Sequence, residues 1–487
     1  MTTIVNLKKL LHRKAWESCT SAPAITAAGS FVASDKYDQN NGNRAFFVAN
    51  ASAIYLYEGQ EDAWVQLPAS GVTGVFGAGA CGEYRALGAM GGAFVQAATG
   101  GTVTTLATNK TIVRQLTGQR VRVVAGAGVG YEGSVAGNTL GANATLTVTP
   151  ASATPFNATT QFQVYSGSLW FFNPGTSAVG FAVYDVATNA WTARSVTGLP
   201  TAWGTSGQLV STMGSAASFA TGTSTGANTA TTLANTAKSW AVNMWANHQI
   251  RITDGTGKGQ IRTIASNTAT ALTVSAAWTV TPDGTSVYSI EGNDDVFYLF
   301  GNNAVTGYRF SVSGNAWSTL APTAARPAAM GAGGTVDWID GVAGWAGIET
   351  AVAHYATTLF KQNGRYLYSF RGGASSALDV YDIAANTWVG GISYGNQQET
   401  FTTGSHSVDM AGGLFLAKEA TGRVFRFDVD YNRLMPVTTN TNQAALGGAA
   451  VEGDKMFVLP YTDGGTTILF GYMLRHSSAD LMRMLVI

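Results

Sequence analysis

Short segments of alternating apolar and polar residues recur along this chain, each followed by a polar turn and a second apolar segment. Alternation with a period of two is typical of β-strands with one buried face, so each unit predicts a β-hairpin. The hairpins cover residues 54–67, 181–194, 305–320, 378–391 and 423–437. In each one, an aromatic residue stands seven positions before a tryptophan or leucine: Tyr57 and Trp64, Tyr184 and Trp191, Phe310 and Trp317, Tyr381 and Trp388, and Phe427 and Leu434.

These ten positions form the predicted structural repeat. The two members of a pair lie on opposite strands near the turn, where we expect them to pack together on the buried face. Asn189, Asn315 and Asn386 stand in three of the turns, and asparagine is favoured where the backbone takes left-handed angles.

Further strands precede most of the hairpins, as in YSGSLWFFNP and DVFYLFGNN. Four strands a repeat is typical of a β-propeller blade, and unrelated hairpins in a β-sandwich are the alternative. Incomplete blades at both ends bring the count to six or seven, the seventh being a diverged repeat around Val336–Ile348. Joining the first and last strands in one blade would close the ring and leave no exposed sheet edge.

Two intervals between hairpins are too long for one repeat. Trp388 and Leu434 are 46 residues apart, whereas 127 residues separate Trp64 from Trp191 and 126 separate Trp191 from Trp317. The extra residues share one order: a strand, a glycine-rich turn, a second strand, Leu-Thr-Val and a closing aromatic strand. We predict two homologous small β-modules, inserted in successive blades, which superpose and project from the propeller.

The predicted organisation follows from these observations. The expected segments are an N-terminal arm (1–30), the first part of the propeller (31–99), the first module (100–166), the second part of the propeller (167–221), the second module (222–291) and the third part of the propeller (292–487). The fold class is all-β.

Composition narrows the function. Charged residues make up only 11% of the chain, and 28 basic residues balance 28 acidic ones. This balance gives no electrostatic footprint for sequence-specific nucleic-acid binding or for an anionic membrane. No segment has the apolar length of a signal peptide core or a membrane span. Because so few charges keep copies apart, we expect a homo-oligomer.

Candidate chemical motifs are few. Gly77, Gly79 and Gly82 match G-x-G-x-x-G, but the segment after them does not predict the helix that a dinucleotide site needs. Residues 254–260 (DGTGKGQ) resemble a phosphate loop but lack its first glycine and its hydroxyl residue, and they align with GAGVGYEG of the other module. A turn is the better interpretation of both.

Metal and catalytic sites are equally poorly supported. Cys19, Cys81 and the five histidines are scattered without ligand spacing. The carboxylate pairs Asp294–Asp295 and Asp428 with Asp430 could bind calcium, but such pairs in turns are usually only solvated. We predict no catalytic residue, no metal site and no cofactor, and we expect the protein not to be an enzyme.

Two resemblances add to this. The hairpin from Gly372–Gly373 to Trp388 resembles a kelch repeat, and the other copies lack a clean glycine pair, so the propeller is called kelch-like. The modules, with N-T-A-T-x-L-T-V and P-D-G-T-S-x-Y, resemble small β-modules of structural proteins of tailed bacteriophages. The opening NLKKLLHRKAW resembles the start of phage virion proteins, and we interpret residues 6–16 as an arm that docks on a neighbour.

The resemblance implies a multi-copy structural component of a virion, assembled in the host cytoplasm and placed in the neck or tail as a nozzle or collar. Its expected partners are other virion proteins and further copies in a ring. The alternative is a carbohydrate-binding protein of a fibre or head decoration, with a glycan of the host surface as its partner. A propeller enzyme acting on host glycans is a third hypothesis. An exposed tryptophan outside the repeat, among Trp203, Trp278, Trp338 and Trp345, would favour sugar binding.

Overall fold

The structure is a computed structural model. It describes residues 17–23, 32–34, 44–48, 53–59, 62–68, 79–85, 95–174, 179–204, 207–212, 218–331, 333–338, 352–354, 359–361, 364–393, 399–401, 406–410, 413–418, 423–428, 433–436, 455–463, 466–474 and 481–485. Within these ranges every regular element is a β-strand, which confirms the all-β prediction. Residues 1–16, including the predicted arm at 6–16, lie outside the described residues.

In chain order the strands are Glu17–Ser18 (β1), Val32–Ser34 (β2), Arg44–Val48 (β3), Ile54–Glu58 (β4), Ala63–Gln66 (β5), Cys81–Arg85 (β6), Gln96–Ala97 (β7), Gly100–Gly101 (β8), Thr105–Ala107 (β9), Arg120–Ala125 (β10), Glu132–Asn138 (β11), Thr145–Thr149 (β12), Gln161–Val164 (β13), Ser168–Asn173 (β14), Gly180–Asp185 (β15), Ala190–Ala193 (β16), Gly207–Thr212 (β17), Ser218–Thr223 (β18), Thr232–Ala234 (β19), Gln249–Asp254 (β20), Ile261–Asn267 (β21), Ala271–Val274 (β22), Val287–Glu291 (β23), Asn293–Gly301 (β24), Tyr308–Ser311 (β25), Ala316–Thr319 (β26), Thr335–Trp338 (β27), Val352–His354 (β28), Leu359–Lys361 (β29), Tyr366–Phe370 (β30), Ala377–Asp382 (β31), Thr387–Ser393 (β32), His406–Met410 (β33), Gly413–Lys418 (β34), Arg423–Asp428 (β35), Arg433–Pro436 (β36), Lys455–Asp463 (β37), Thr466–Leu474 (β38) and Leu481–Leu485 (β39).

Six antiparallel sheets of four strands make up the main body. From the innermost strand outwards they are the first sheet (β2, β3, β4, β5), the second (β6, β14, β15, β16), the third (β17, β24, β25, β26), the fourth (β27, β30, β31, β32), the fifth (β33, β34, β35, β36) and the sixth (β37, β38, β39, β1). Each innermost strand contacts the innermost strand of the next sheet, and β37 of the sixth sheet contacts β2 of the first. Four-stranded sheets arranged around a ring in this way are the architecture of a β-propeller.

The two chain ends meet in the sixth sheet. Strand β1 pairs with β39, with Glu17 opposite Arg483 and Ser18 opposite Met482. The predicted boundary of the N-terminal arm at residue 30 is therefore wrong, because residues 17–18 already belong to the propeller. The pairing covers the outer edge of β39, which would otherwise be open to other chains.

The diverged repeat expected around Val336–Ile348 does not form a sheet of its own in the described residues. Val336 lies in β27, which is the innermost strand of the fourth sheet and pairs with β30. The long interval before Trp388 instead contains the separate hairpin β28–β29. Residues 339–351 lie outside the described ranges.

Each long interval contains one inserted sheet. Module 1 lies between β6 and β14 and has the order β7-β13-β10-β11-β12-β9-β8, and module 2 lies between β17 and β24 with the order β18-β23-β20-β21-β22-β19. Apart from β8, the two orders are the same strand for strand. Both modules begin a few residues before the predicted 100 and 222, because the closing strand of each pairs with a lead strand that starts at Gln96 or Ser218.

The cores lie between neighbouring sheets. One cluster joins the second and third sheets through Trp170, Phe181, Phe297 and Phe310. All six residues of β14 are buried, and the apolar run Leu-Trp-Phe-Phe in it is typical of a strand that is covered on both faces.

Module 2 does not simply project from the ring as expected. Its apolar residues share one cluster with the third and fourth sheets. The ring of Phe219 lies 6.2 Å from that of Trp338 in β27, and the side-chain amide of Asn247 donates to the carbonyl of Ile383 at 2.9 Å. Module 2 is therefore packed against the neighbouring fourth sheet.

Candidate functional site

The structure places the ten repeat residues on the third and fourth strands of five sheets, and the members of every pair lie directly opposite each other. The four aromatic pairs have ring centroids 4.9 to 5.2 Å apart with tilts of 43° to 46°. These are favourable aromatic geometries. The near-identical values in four sheets mean that one packing arrangement is repeated around the ring.

The turn residues complete the repeat. Asn189, Asn315 and Asn386 have φ values of 51°, 47° and 49°, as the sequence predicts. The tyrosine hydroxyl of a pair donates to the turn residue, at 2.6 Å from Tyr184 to Asn189 and 2.7 Å from Tyr381 to Asn386. Each turn is thus fixed by the side chain that the aromatic position supplies.

The tryptophans also connect neighbouring sheets. The indole N–H of Trp64 donates to the carbonyl of Thr20, that of Trp191 to Pro68 and that of Trp317 to Ser195, at 3.0 to 3.2 Å. Each acceptor follows the outermost strand of the preceding sheet. The repeat residues therefore hold the ring together, which accounts for their recurrence without a ligand.

The inserted modules carry the remaining distinctive geometry, and corresponding residues lie 129 positions apart. Asn138 of module 1 and Asn267 of module 2 make the same bonds: each accepts from the backbone N–H of the residue 22 positions earlier and donates to two carbonyls. The three glycines of each glycine-rich turn, Gly126, Gly128 and Gly130 in module 1 and Gly255, Gly257 and Gly259 in module 2, have positive φ. DGTGKGQ is therefore the counterpart of the module 1 turn and not a phosphate loop.

The two modules pack against each other around an approximate two-fold axis. A Cβ at Gly130 would lie 2.4 Å from the side chain of Lys258, and one at Gly259 would lie 2.8 Å from that of Val129. Because Val129 corresponds to Lys258 and Gly130 to Gly259, the same contact occurs twice with the modules exchanged. Glycine at both positions permits this close approach.

An arginine joins the modules beside this contact. Arg251 of module 2 donates to Glu291 of its own module at 2.9 Å and to Glu132 of module 1 at 2.6 Å. Its counterpart Arg122 lies 3.4 Å from Glu132 and over the ring of Tyr165. Burial raises the pKa of the Tyr165 phenol to about 12, so that side chain stays neutral at physiological pH.

A second buried arginine links the second sheet to the third. Arg85 ends β6 and donates to the carbonyls of Asp294 and Val296, and its guanidinium lies 4.0 Å from the centre of the Phe297 ring. Burial lowers its pKa to about 10, which still leaves it charged at neutral pH. Sequence reasoning missed Arg85, because its partners lie more than 200 residues along the chain.

The largest concave feature is a cleft of about 1,320 Å³ between the two modules and the second and third sheets. The rim is formed by Val95 and Val129 of module 1 and Val280 of module 2. The third sheet contributes its strand start at 293–295 and the turn at 312–315, and the second sheet contributes Arg194. Neither module alone encloses the cleft.

Most polar side chains of the cleft are held by the protein itself. Asp295 accepts from the hydroxyl of Ser311 and the backbone N–H of Ser313, and Asn293 donates to the carbonyl of Asn247. Gln163 differs. It is only 6% exposed, and its carbonyl oxygen has no hydrogen-bond partner in the described part of the chain.

The remaining predicted motifs do not form a site in the described residues. Gly79 and Gly82 lead into strand β6 and not into a helix, which excludes a dinucleotide fingerprint there, and Gly77 lies outside the described ranges. Asp294 and Asp295 lie at the cleft floor, whereas Asp430 is not described. Among the described residues no group of three histidine, cysteine or acidic side chains is placed to hold a metal ion.

The tryptophans that would favour sugar binding are covered. Trp203, Trp278 and Trp338 are 9%, 5% and 4% exposed, and Trp345 lies outside the described residues. No described helix is long and apolar enough to span a membrane.

Comparisons with known proteins give no family. No protein-family model matches this chain. No curated protein matches its sequence. Among solved structures it is similar to an Aleuria aurantia lectin mutant in complex with alpha-methyl-L-fucoside, with 8% identity over 96% of this chain and 97% of that chain and a TM-score of 0.35. It is also similar to Saccharomyces cerevisiae Sqt1, with 9% identity over 97% and 100% of the two chains and a TM-score of 0.32. At these values the likenesses carry no conclusion about ligand or function.

Proposed function

We propose that this chain is a multi-copy structural component of a tailed-bacteriophage virion that acts by assembly and not by catalysis. The six four-stranded sheets are, in this proposal, the blades of one closed, six-bladed, kelch-like ring. The paired modules are contact elements carried on two neighbouring blades. The neck or tail, in a nozzle or collar, is the proposed position.

The distribution of exposed apolar side chains is the observation that carries the proposal. Seven of the nine large apolar residues exposed in the described part of the chain lie in or directly beside the modules: Val95, Val103, Val113, Val129, Leu140, Val242 and Val280. Exposed apolar surface that is concentrated in one region is typical of protein contacts. The modules are thus the natural place for contacts with further copies or with other virion proteins.

Composition and bonding agree with an assembly role. With 11% charged residues and no net charge, the chain has little repulsion to keep copies apart. The repeat residues and most polar side chains of the cleft are engaged in bonds within the protein. A contact built on such a surface would be insensitive to salt, because few ion pairs are available to be screened.

Quantitative mass spectrometry of purified virions, together with sedimentation of the isolated protein, tests the proposal. It requires several copies of the chain in each virion and self-association of the isolated protein that does not weaken with added salt. A stable monomer at every concentration, combined with absence from purified virions, would reject it in favour of the carbohydrate-binding alternative.

A further inference from the structure

The cleft between the modules has no part in the proposed assembly role, and its walls differ from the rest of the described surface. Val95, Val129 and Val280 are 40%, 45% and 51% exposed, and all three face this one cleft. They come from both modules. An apolar rim therefore surrounds an opening that exists only because the modules are paired.

The floor below this rim is polar and preformed. Gln163 is more than nine-tenths buried and leaves its side-chain carbonyl oxygen without a partner in the described chain. A buried acceptor without a hydrogen bond costs about 1–3 kcal/mol, so a ligand that donates to it would recover this energy. Asp295 lies on the same floor, where Ser311 and Ser313 fix the orientation of its carboxylate.

The charges of the cleft exclude a strongly charged ligand. Arg194, Lys258 and Arg262 contribute positive charge, and Asp294 and Asp295 contribute negative charge, within one opening. A polyanion or a polycation would meet repulsion from one of these groups. A neutral ligand that both donates and accepts hydrogen bonds suits such a mixed lining, and hydroxyl groups do both.

Size and wall chemistry narrow the ligand further. Pockets for drug-sized molecules measure about 300–1,000 Å³, so the cleft has room for several linked units. Valine side chains on the rim can pack against the C–H faces of sugar rings. No described tryptophan is exposed, so binding would rely on these apolar contacts and on hydrogen bonds without aromatic stacking.

We propose that the cleft between the two modules binds a neutral oligosaccharide. The valine rim contacts the sugar rings, and the Gln163 carbonyl accepts a hydrogen bond from a sugar hydroxyl. The site requires both modules, because Val129 and Val280 approach it from opposite sides. A single site of this kind binds weakly, and several copies in one assembly would raise the strength of attachment to a glycan-covered surface.

Saturation-transfer NMR and calorimetry of the full chain with maltohexaose, mannohexaose and chitohexaose test the proposal. We expect at least one of the three to bind. Val280→Asp and Val129→Asp should each weaken binding at least about tenfold, because a desolvated carboxylate at the rim opposes contact with a sugar ring. The same loss should appear in both variants, although the two residues belong to different modules.

Val242→Asp is the matched control. Val242 is a 71% exposed valine of module 2 that does not line the cleft, so its replacement should leave binding unchanged. Folding of all variants is checked by circular dichroism. Binding of none of the three sugars, or binding that Val280→Asp and Val242→Asp weaken equally, would overturn the proposal.

A mixture of unrelated soluble peptides, tested in the same way, separates the second kind of occupant. Peptide binding that is lost in Val280→Asp, without sugar binding, would make the cleft a peptide groove and would also overturn the proposal. The result is independent of the virion hypothesis, because it concerns the isolated chain and not its presence in particles.

Discussion

The indole N–H of Trp317 donates to the carbonyl of Ser195 at 3.0 Å, and this bond joins the third sheet to the residues that follow the outer strand of the second. Trp317 also packs on Phe310 of its own sheet, with ring centroids 5.0 Å apart. One residue thus stabilises both its own hairpin and the contact between sheets. Bonds of the same kind at Trp64 and Trp191 make this a property of the ring.

The first prediction removes this bond while keeping an aromatic ring. Trp317→Phe should lower the free energy of unfolding by about 1–3 kcal/mol more than a matched loss of indole elsewhere, because the Ser195 carbonyl loses its donor. Trp338→Phe is the control: Trp338 is equally buried, and its indole N–H has no partner in the described chain. Urea unfolding measures both, and equal losses would show that the indole bond contributes nothing.

The second prediction concerns the arginine that joins the modules. Removing Arg251 leaves the buried Glu291 without its cation, and breaking such a buried pair costs about 3–5 kcal/mol. Glu132 is 44% exposed, so Glu132→Gln should cost less than about 1 kcal/mol. Unfolding of Arg251→Met and Glu132→Gln should therefore differ severalfold. Similar costs for the two variants would contradict the assignment of Glu291 as the main partner.

The third prediction tests the close approach of the modules. Gly259 and Gly118 have nearly the same left-handed φ, 89° and 87°, so alanine carries about the same backbone cost of 1–2 kcal/mol at either position. Only Gly259→Ala would place its Cβ against the other module, 2.8 Å from the backbone nitrogen of Gly130, whereas nothing lies within 4 Å at Gly118. Gly259→Ala should be the more destabilising variant.

Hydrogen exchange identifies where that difference arises. In Gly259→Ala the amides at the contact between the modules should lose protection, while those of Gly118→Ala should keep it there. Equal stability and equal exchange in the two variants would mean that the modules do not touch at this turn.

The fourth prediction follows from a buried histidine under module 2. His248 lies edge-on to the rings of Phe219 and Trp245, near the Arg365–Asp382 ion pair, and burial lowers its pKa to about 4. The unfolded chain takes up a proton near pH 6.5 and the folded chain only near pH 4. The stabilisation is therefore complete above pH 6.5 and is lost as the pH falls towards 4.

The linked loss approaches about 3 kcal/mol at the acid end. His248→Gln cannot titrate in this range, so the difference in unfolding free energy between the natural chain and this variant should change with pH in that sense. A difference that is the same at pH 7 and pH 4 would show that His248 is not buried as described.

Local patterns in the sequence predict much of this fold, and long-range contacts account for what they miss. The spacing of Tyr184 and Trp191 is enough to predict a hairpin and its cross-strand pair. The bond from Tyr184 to Asn189 also lies within reach of that pattern. In contrast, nothing local indicates that the indole N–H of Trp317 points to the preceding sheet.

The candidate site was largely beyond the reach of the sequence. The two modules are recognisable as copies, and the corresponding positions of Arg122 and Arg251 could have suggested that both serve one contact. Their pairing, however, depends on how two neighbouring sheets orient them. The cleft exists only between the modules, so no motif within either copy predicts it.

Cryo-electron microscopy of purified virions tests the central claim most directly. The proposal predicts density for a ring of six four-stranded sheets, with the paired modules on two neighbouring sheets, repeated by symmetry in the neck or tail and in contact with other subunits through the modules. Virions that contain no such density, although the cells that release them produce the chain, would contradict it.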